Sequence, residues 1–510
     1  MTRLLGPILG FHGIENGEWK VSVLTVRDDA AQPALQWWSE DGKRNNAANP
    51  VLLLEHNGRR VLRQDITVLM TEAEQTVTYS FSGEQELDFR VPALDQAPRM
   101  TFCSCNGFSN PRDKKKVPDH NAMWKSLGAK HVEKDFHLML MGGDQVYADS
   151  LWETVESIKA WVAIPETDRL GHAFTNEMDQ QTRKFYFDLY VENWSQPERQ
   201  NMFARIPSVM MWDDHDIFDG WGSYKAALHN CPVYQGIFKI AREHFQAFQL
   251  RSDGKRLEAS FLDPNREKGN VPTFCSAHSL GNLGLLVLDL RSERTETQVM
   301  SPDTWELIYG ALARFEDKDC DHLLVVTSIP VVHPDFGLIE GGLGFLPGQQ
   351  ELEDDLRDHW HSRPHKDERR RLIHRLLSFS ASYKTRVTML SGDVHVGAIG
   401  VIETNRDSNA PKNAGVINQL TSSAIVHPPP PAIMAFTLER MGASVETVER
   451  GITASMLELP GTRKRFIGAR NWLSLEPDDK DKGQKRIWAN WHVEGEATPF
   501  TKVIHTCEGS

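Results

Sequence analysis

The chain has 510 residues, 40% of them hydrophobic and 25% charged, with a formal net charge of −13. That length exceeds a usual single core, so two domains, or one large domain with additions, are expected. The negative balance argues against a nucleic acid or an anionic membrane held by charge alone, although a local group of cations can still receive a small anion.

The opening MTRLLGPILGFHGIENGEWK carries one arginine and an apolar stretch broken by Gly-Pro, without the uninterrupted core and cleavage site of a signal peptide. No run approaches about 18 apolar residues, so no membrane-spanning helix is expected. The six cysteines (103, 105, 231, 275, 320 and 507) show no disulfide-scaffold spacing. A reduced, cytoplasmic location is expected, unless a leader has been removed.

Residues 1–95 read as short alternating strands (WKVSVLTV, ALQWWS, PVLLLEHNGRRVLRQDI, TVTYSF, DFRVP) separated by Gly, Asn, Asp and Pro. Asn57-Gly58 between two apolar runs is a hairpin signal. A small antiparallel β-sandwich domain is expected there, with PALDQAP (92–98) as linker. The pattern then changes to buried strands alternating with longer helical segments, which marks an α/β domain over 96–510. Its strands are expected at 100–105, 136–143, 208–212, 285–290, 322–329 and 386–392, and RIWANWHV and FTKVIHTC are expected to close the sheet edge. HPPPPAIM (427–434) reads as a stiff surface loop.

Four of these strands end in metal-competent residues: Ser104-Cys105-Asn106, Gly143-Asp144-Gln145-Val146-Tyr147-Ala148-Asp149, Asp213-Asp214-His215-Asp216, and Gly392-Asp393-Val394-His395. Each alone has a plain explanation: a turn, a helix cap, a small buried cysteine. The run in WDDHD is harder to dismiss, because crowded carboxylates after a buried strand are costly without a compensating cation. In α/β sheets ligands gather beyond the carboxyl ends of strands, so four such ends describe one site.

This ordered set of strand–SCN, GDxxYAD, WDDHD and SGDVH resembles the alkaline phosphatase D (PhoD-like) branch of the calcineurin-like metallophosphoesterases, over roughly residues 95–500. The resemblance implies a two-sheet β-sandwich flanked by helices and preceded by an N-terminal β-domain. It implies that Cys105, Asp144, Tyr147 and His395 hold one metal, typically Fe³⁺. Asp144 would bridge to a second metal, commonly Ca²⁺, completed by Asp214 and Asp393. His215 would act as acid or phosphate ligand. These donor types are chemically consistent: thiolate, phenolate and imidazole suit a transition metal, and carboxylates suit a hard cation such as Ca²⁺ or Mg²⁺, with Mn²⁺, Co²⁺ and Zn²⁺ as alternatives.

The expected activity is metal-dependent hydrolysis of a small-molecule phosphate ester, monoester or diester. No stable nucleic-acid complex or membrane partner is expected. The competing reading is a non-catalytic binding protein that keeps the fold. For phosphate binding the family often uses an arginine; Arg183, with Lys184 beside it, and Arg291 are the candidates. Asp213 and Asp216 are expected to orient neighbours. His333 and His427 read as surface-loop histidines. The 217–280 stretch and the polyproline loop are candidate walls of the pocket, while residues 359–375 read as a solvated helix face whose position could set Trp360 or His361 over the pocket mouth.

Overall fold

The computed structural model describes residues 3–507 except 29–32, 256, 264, 266–270, 317–319, 335–359, 361–364, 407–412 and 479–484. At its centre Met100–Cys103, Leu138–Gly142 and Ser208–Met211 run parallel and adjacent, and every residue but the half-buried Val209 is buried, as parallel strands require. Asn471–Pro477, Ile487–Val493 and Phe500–Ile504 extend one edge antiparallel, so the tail closes this sheet as expected. On the other side Arg3–Glu15 pairs with Ser208–Met211, and Glu18–Arg27, Arg59–Leu69 and Val51–His56 follow, making ten strands among the described residues.

A second sheet carries Leu283–Val287, His322–Val326, Arg386–Ser391 and Val416–Ser422 as parallel neighbours. Antiparallel strands flank them, including Ser276–Leu280, Gly397–Thr404 and Ile452–Leu457. Leu35–Trp38, Asn45–Asn46, Gln75–Phe81 and Leu87–Val91 form a third, smaller sheet.

Strand alternation sorts the core into layers. Phe102, Leu138 and Leu140 of the first sheet share one apolar cluster with Leu285, Val287, Leu324, Val326 and Leu390 of the second. The opposite faces pack on helices. Met139, Met141 and Met210 meet Trp124 of Ala122–Glu133 and Tyr190 and Trp194 of Asn176–Trp194. Leu323, Val325, Val387 and Met389 meet Trp305 of Pro302–Ala313 and Leu372 and Leu376 of Lys366–Tyr383. The result is a mixed α/β fold.

Several expectations change here. Asn57 (φ 50°) and Gly58 (φ 77°) do turn the hairpin that pairs His56 with Arg59. The strands of residues 1–95, however, do not close into a free-standing sandwich. One group joins the central sheet through Arg3–Glu15, the other forms the small sheet, and both contribute to the main cluster. Trp360 is fully buried in the helix-facing cluster, where its large apolar side chain fills the core. His361 lies outside the described residues. Within 217–280, Ile217, Phe218, Trp221, Ile237 and Phe245 are core residues, so apolar burial makes much of that stretch scaffold and not pocket wall.

Candidate metal centre

The loops after the three central parallel strands are laced together. Cys105 and Asn106 donate backbone N–H groups to the carbonyls of Gly143 (3.3 Å) and Asp144 (2.8 Å). Asp216 ties the next loop in: its Oδ1 accepts from Gln145 N (3.0 Å), Val146 N (3.1 Å) and Gln249 Nε2 (2.8 Å), while its Oδ2 accepts from Asp213 N at 2.9 Å. The fourth loop arrives from the other sheet. Gly392 is required there, because a Cβ would meet Ser104 Oγ at 2.3 Å. That close approach brings the Asp393 carbonyl to 3.9 Å from Cys105 Sγ.

Part of the expected ligand set meets where loops of the two sheets approach one another. Cys105 Sγ lies 3.5 Å from Asp144 Oδ2. Asp144, Asp213 and Asp214 each offer an oxygen within 4.8 Å of the others. Cys105 and Tyr147 share a small buried cluster with Ala424. His395 is linked through Ser423, whose Oγ accepts from His395 N at 3.0 Å and sits 2.9 Å from Cys105 Sγ.

Among the described residues ten non-glycine positions have positive φ, and four of them are Cys105 (53°), Asp144 (55°), Asp393 (68°) and His395 (54°). Such backbone costs about 1–2 kcal/mol per residue, and its concentration at expected ligands points to a site that the surrounding fold holds in place.

The donor set fits a cation. Asp144 Oδ1, Tyr147 OH and His395 Nδ1 are buried and make no hydrogen bond within the described structure. Thirty buried side-chain atoms among the described residues lack a hydrogen-bond partner, and these three stand out because they belong to expected ligands on adjoining loops. Burial above all, with the neighbouring carboxylates, disfavours ionised ligands here. Burial first, and then Asp144, pushes the Cys105 thiol well up. Burial raises the Asp144 carboxyl, with Asp213 and Asp214 adding to the effect against His215. Burial, then Cys105 and Asp144, raises the Tyr147 phenol, and burial lowers the His395 imidazole. A bound cation inverts that balance for the acids.

His215 is placed by Asp149, whose carboxylate oxygens lie 2.9 and 3.0 Å from Nδ1, and by stacking on Tyr147 at 4.3 Å between ring centres. Burial would lower the pKa of His215, but Asp149 and Asp214 outweigh it and the net shift is well upward. Asp149 also accepts from Asp219 N at 2.9 Å.

Both candidate arginines pair with carboxylates. Arg291 is fully buried and clamps the aspartates: it pairs with Asp213 Oδ1, lies 3.2 Å from Asp214 Oδ1, and donates to the Trp221 carbonyl at 2.9 Å. Once buried beside two carboxylates, its guanidinium is committed to them. Arg183 pairs with Asp179 (2.8 Å) and Glu243, joining two helices, and Lys184 pairs with Asp188, so their own neighbours hold both. For His427 the surface-loop expectation is corrected. It is 8% exposed, and its ring stacks on His395 at 3.8 Å. The first apolar half of its segment folds against the Cys105 loop, which draws the histidine inward. Asp149 and Ser423 are further site residues to which sequence reasoning gave no role.

The sequence pattern of the PhoD related phosphatases matches residues 70–344 and 337–445, more than half of the chain. An uncharacterized protein of Saccharomyces cerevisiae is 29% identical over 497 residues, covering 81% of this chain and 70% of that protein. A solved structure of PhoD superposes with a TM-score of 0.54 at 13% identity, covering 97% of this chain and 88% of that one, which is a likeness of fold. The chain belongs to the PhoD related phosphatase family. The family suggests metal-dependent phosphoesterase activity, and the acidic clusters are groups that could bind the metals.

Proposed function

We propose that this protein hydrolyses phosphate esters of small molecules at a two-metal centre. Cys105, Asp144, Tyr147 and His395 would hold a transition metal, of which Fe³⁺ suits the donors best. Asp144, Asp214 and Asp393 would hold a hard cation such as Ca²⁺ or Mg²⁺. The observation that carries this reading is the set of three buried, unpartnered donor atoms, Asp144 Oδ1, Tyr147 OH and His395 Nδ1, on loops from two sheets that approach Cys105. The core shared between those sheets also supports reading the fold as the metallophosphoesterase sandwich.

The chemistry such cations supply is the clamping of phosphoryl oxygens and activation of water near neutral pH. The chain's own residues prepare that chemistry. Arg291 compensates Asp213 and Asp214 from behind. Asp149 orients His215: a carboxylate only accepts, so Nδ1 carries a proton toward it, and the upward shift favours a proton on Nε2 as well. His215 is then positioned to assist the leaving group or to steady charge on the phosphoryl oxygens.

The test is a panel of p-nitrophenyl phosphate and bis(p-nitrophenyl) phosphate with Ca²⁺, Mg²⁺, Mn²⁺, Co²⁺ or Zn²⁺ added to chelator-stripped protein. Metal-dependent release of nitrophenol, lost in Asp144→Ala and Asp214→Ala, is the expected result. Full turnover in either variant would overturn the ligand assignment.

A further inference from the structure

His427 has no part in the chemistry above, yet it is built into the centre from every side. Its backbone N donates to the Cys105 carbonyl at 3.2 Å, so it is tied to the loop that carries an expected ligand. One ring contact is with His395, at 3.8 Å and 19° between planes. Another is with Tyr147, at 5.6 Å and 14°. Tyr147 in turn stacks on His215 at 4.3 Å, giving four rings in contact order His395, His427, Tyr147, His215.

Both nitrogens of His427 are already engaged. Nδ1 lies 2.9 Å from the Pro428 carbonyl, which can only accept, so Nδ1 carries the proton. Nε2 lies 3.2 Å from Ser109 Oγ and therefore accepts from that hydroxyl. With its nitrogens committed to Pro428 and Ser109, the side chain acts on the centre through its ring.

We propose that His427 is a positioning residue whose stacked imidazole fixes the ring planes of Tyr147 and His395, and through them the donor atoms Tyr147 OH and His395 Nδ1. This rests on the metal-centre reading. His395 Nδ1 has no hydrogen bond to orient it and Tyr147 OH has only the Cys105 thiol beside it, so the ring contacts set both planes. Groups that orient ligands from outside the coordination shell are commonly worth about 10–100-fold in metal affinity.

Chelator-stripped protein titrated with Co²⁺ tests the proposal, following both affinity and the visible ligand-field spectrum. His427→Ala is expected to weaken Co²⁺ binding by about 10-fold or more and to alter the spectrum. His427→Phe keeps a ring against both neighbours and is expected to recover most of the affinity. Ser109→Ala removes one anchor of the ring, leaves the fold intact, and should weaken binding by a smaller factor. Thermal midpoints of the stripped proteins separate positioning from general destabilisation. Lower midpoints with unchanged Co²⁺ affinity in the folded fraction would overturn the proposal, as would unchanged affinity in His427→Ala and Ser109→Ala. Wild-type protein that takes up no Co²⁺ would sink the metal centre itself, which distinguishes that failure from this one.

Discussion

Replacing Arg291 by methionine keeps most of the side-chain volume and removes the charge that two buried carboxylates share. Asp213 is fully buried and Asp214 is 5% exposed, so water cannot take over from the guanidinium. Breaking one side of a buried ion pair costs about 3–5 kcal/mol. Asp213 Oδ1 still accepts from Asp214 N at 3.1 Å, which favours the lower end. At about 1 °C per kcal/mol for a chain of 510 residues, a loss near 3 kcal/mol lowers the melting midpoint by roughly 3 °C. The assay is thermal unfolding of chelator-treated protein, since a bound cation would itself compensate the aspartates. Arg291→Lys keeps the charge but lacks the planar fork that reaches Asp213, Asp214 and the Trp221 carbonyl together, so it should recover only part of the loss. A midpoint unchanged in Arg291→Met, with only KM for a phosphate ester raised, would refute the clamp and restore Arg291 as a substrate ligand.

His215→Ala should lower kcat by about 10²–10⁴-fold while metal content stays constant, measured with p-nitrophenyl phosphate. Asp149→Asn should give a smaller loss in kcat, because His215 stays in place but loses the carboxylate that orients it. Exhaustive chelation should abolish turnover with little loss of far-ultraviolet circular dichroism, and added metal should restore it. Asp188 joins the hairpin residue Arg59 (2.6 Å) to the helix Asn176–Trp194; burial alone would raise its carboxyl, but Lys184 and Arg59 bring it below the usual range. A depressed carboxyl contributes stability above its unfolded value of about 3.9, lost as pH falls further. Asp188→Asn should therefore destabilise at neutral pH, and by progressively less as the pH is lowered below about 3.9, read from paired thermal melts.

The site was legible where its chemistry lies in short contiguous strings after apolar runs. GDQVYAD, WDDHD and SGDVH each combine a buried strand with donors at its carboxyl end, and the fold brings those ends together. The partners of those donors were not legible, because nothing near them in the chain identifies them. Arg291 looks the same in sequence whether it meets Asp213 or a phosphate; only the packing of Trp221 and the second sheet decides. His427 precedes four prolines and so reads as loop, yet the apolar Ala424-Ile425-Val426 before it folds onto the Cys105 loop and carries it inward. The strand Arg3–Glu15 was missed because Gly6-Pro7, Gly10 and Gly13 break its apolar run. Parallel pairing with Ser208–Met211 and a full antiparallel ladder with Glu18–Arg27 override that weak local preference.

Metal analysis of protein purified without chelator, comparing wild type with Asp144→Ala and His395→Ala, bears most directly on whether loops from both sheets enclose cations. Stoichiometric metal in the wild type, sharply depleted in both folded variants, is the predicted result. Ester hydrolysis by a metal-free wild type, or full metal content in both variants, would contradict it.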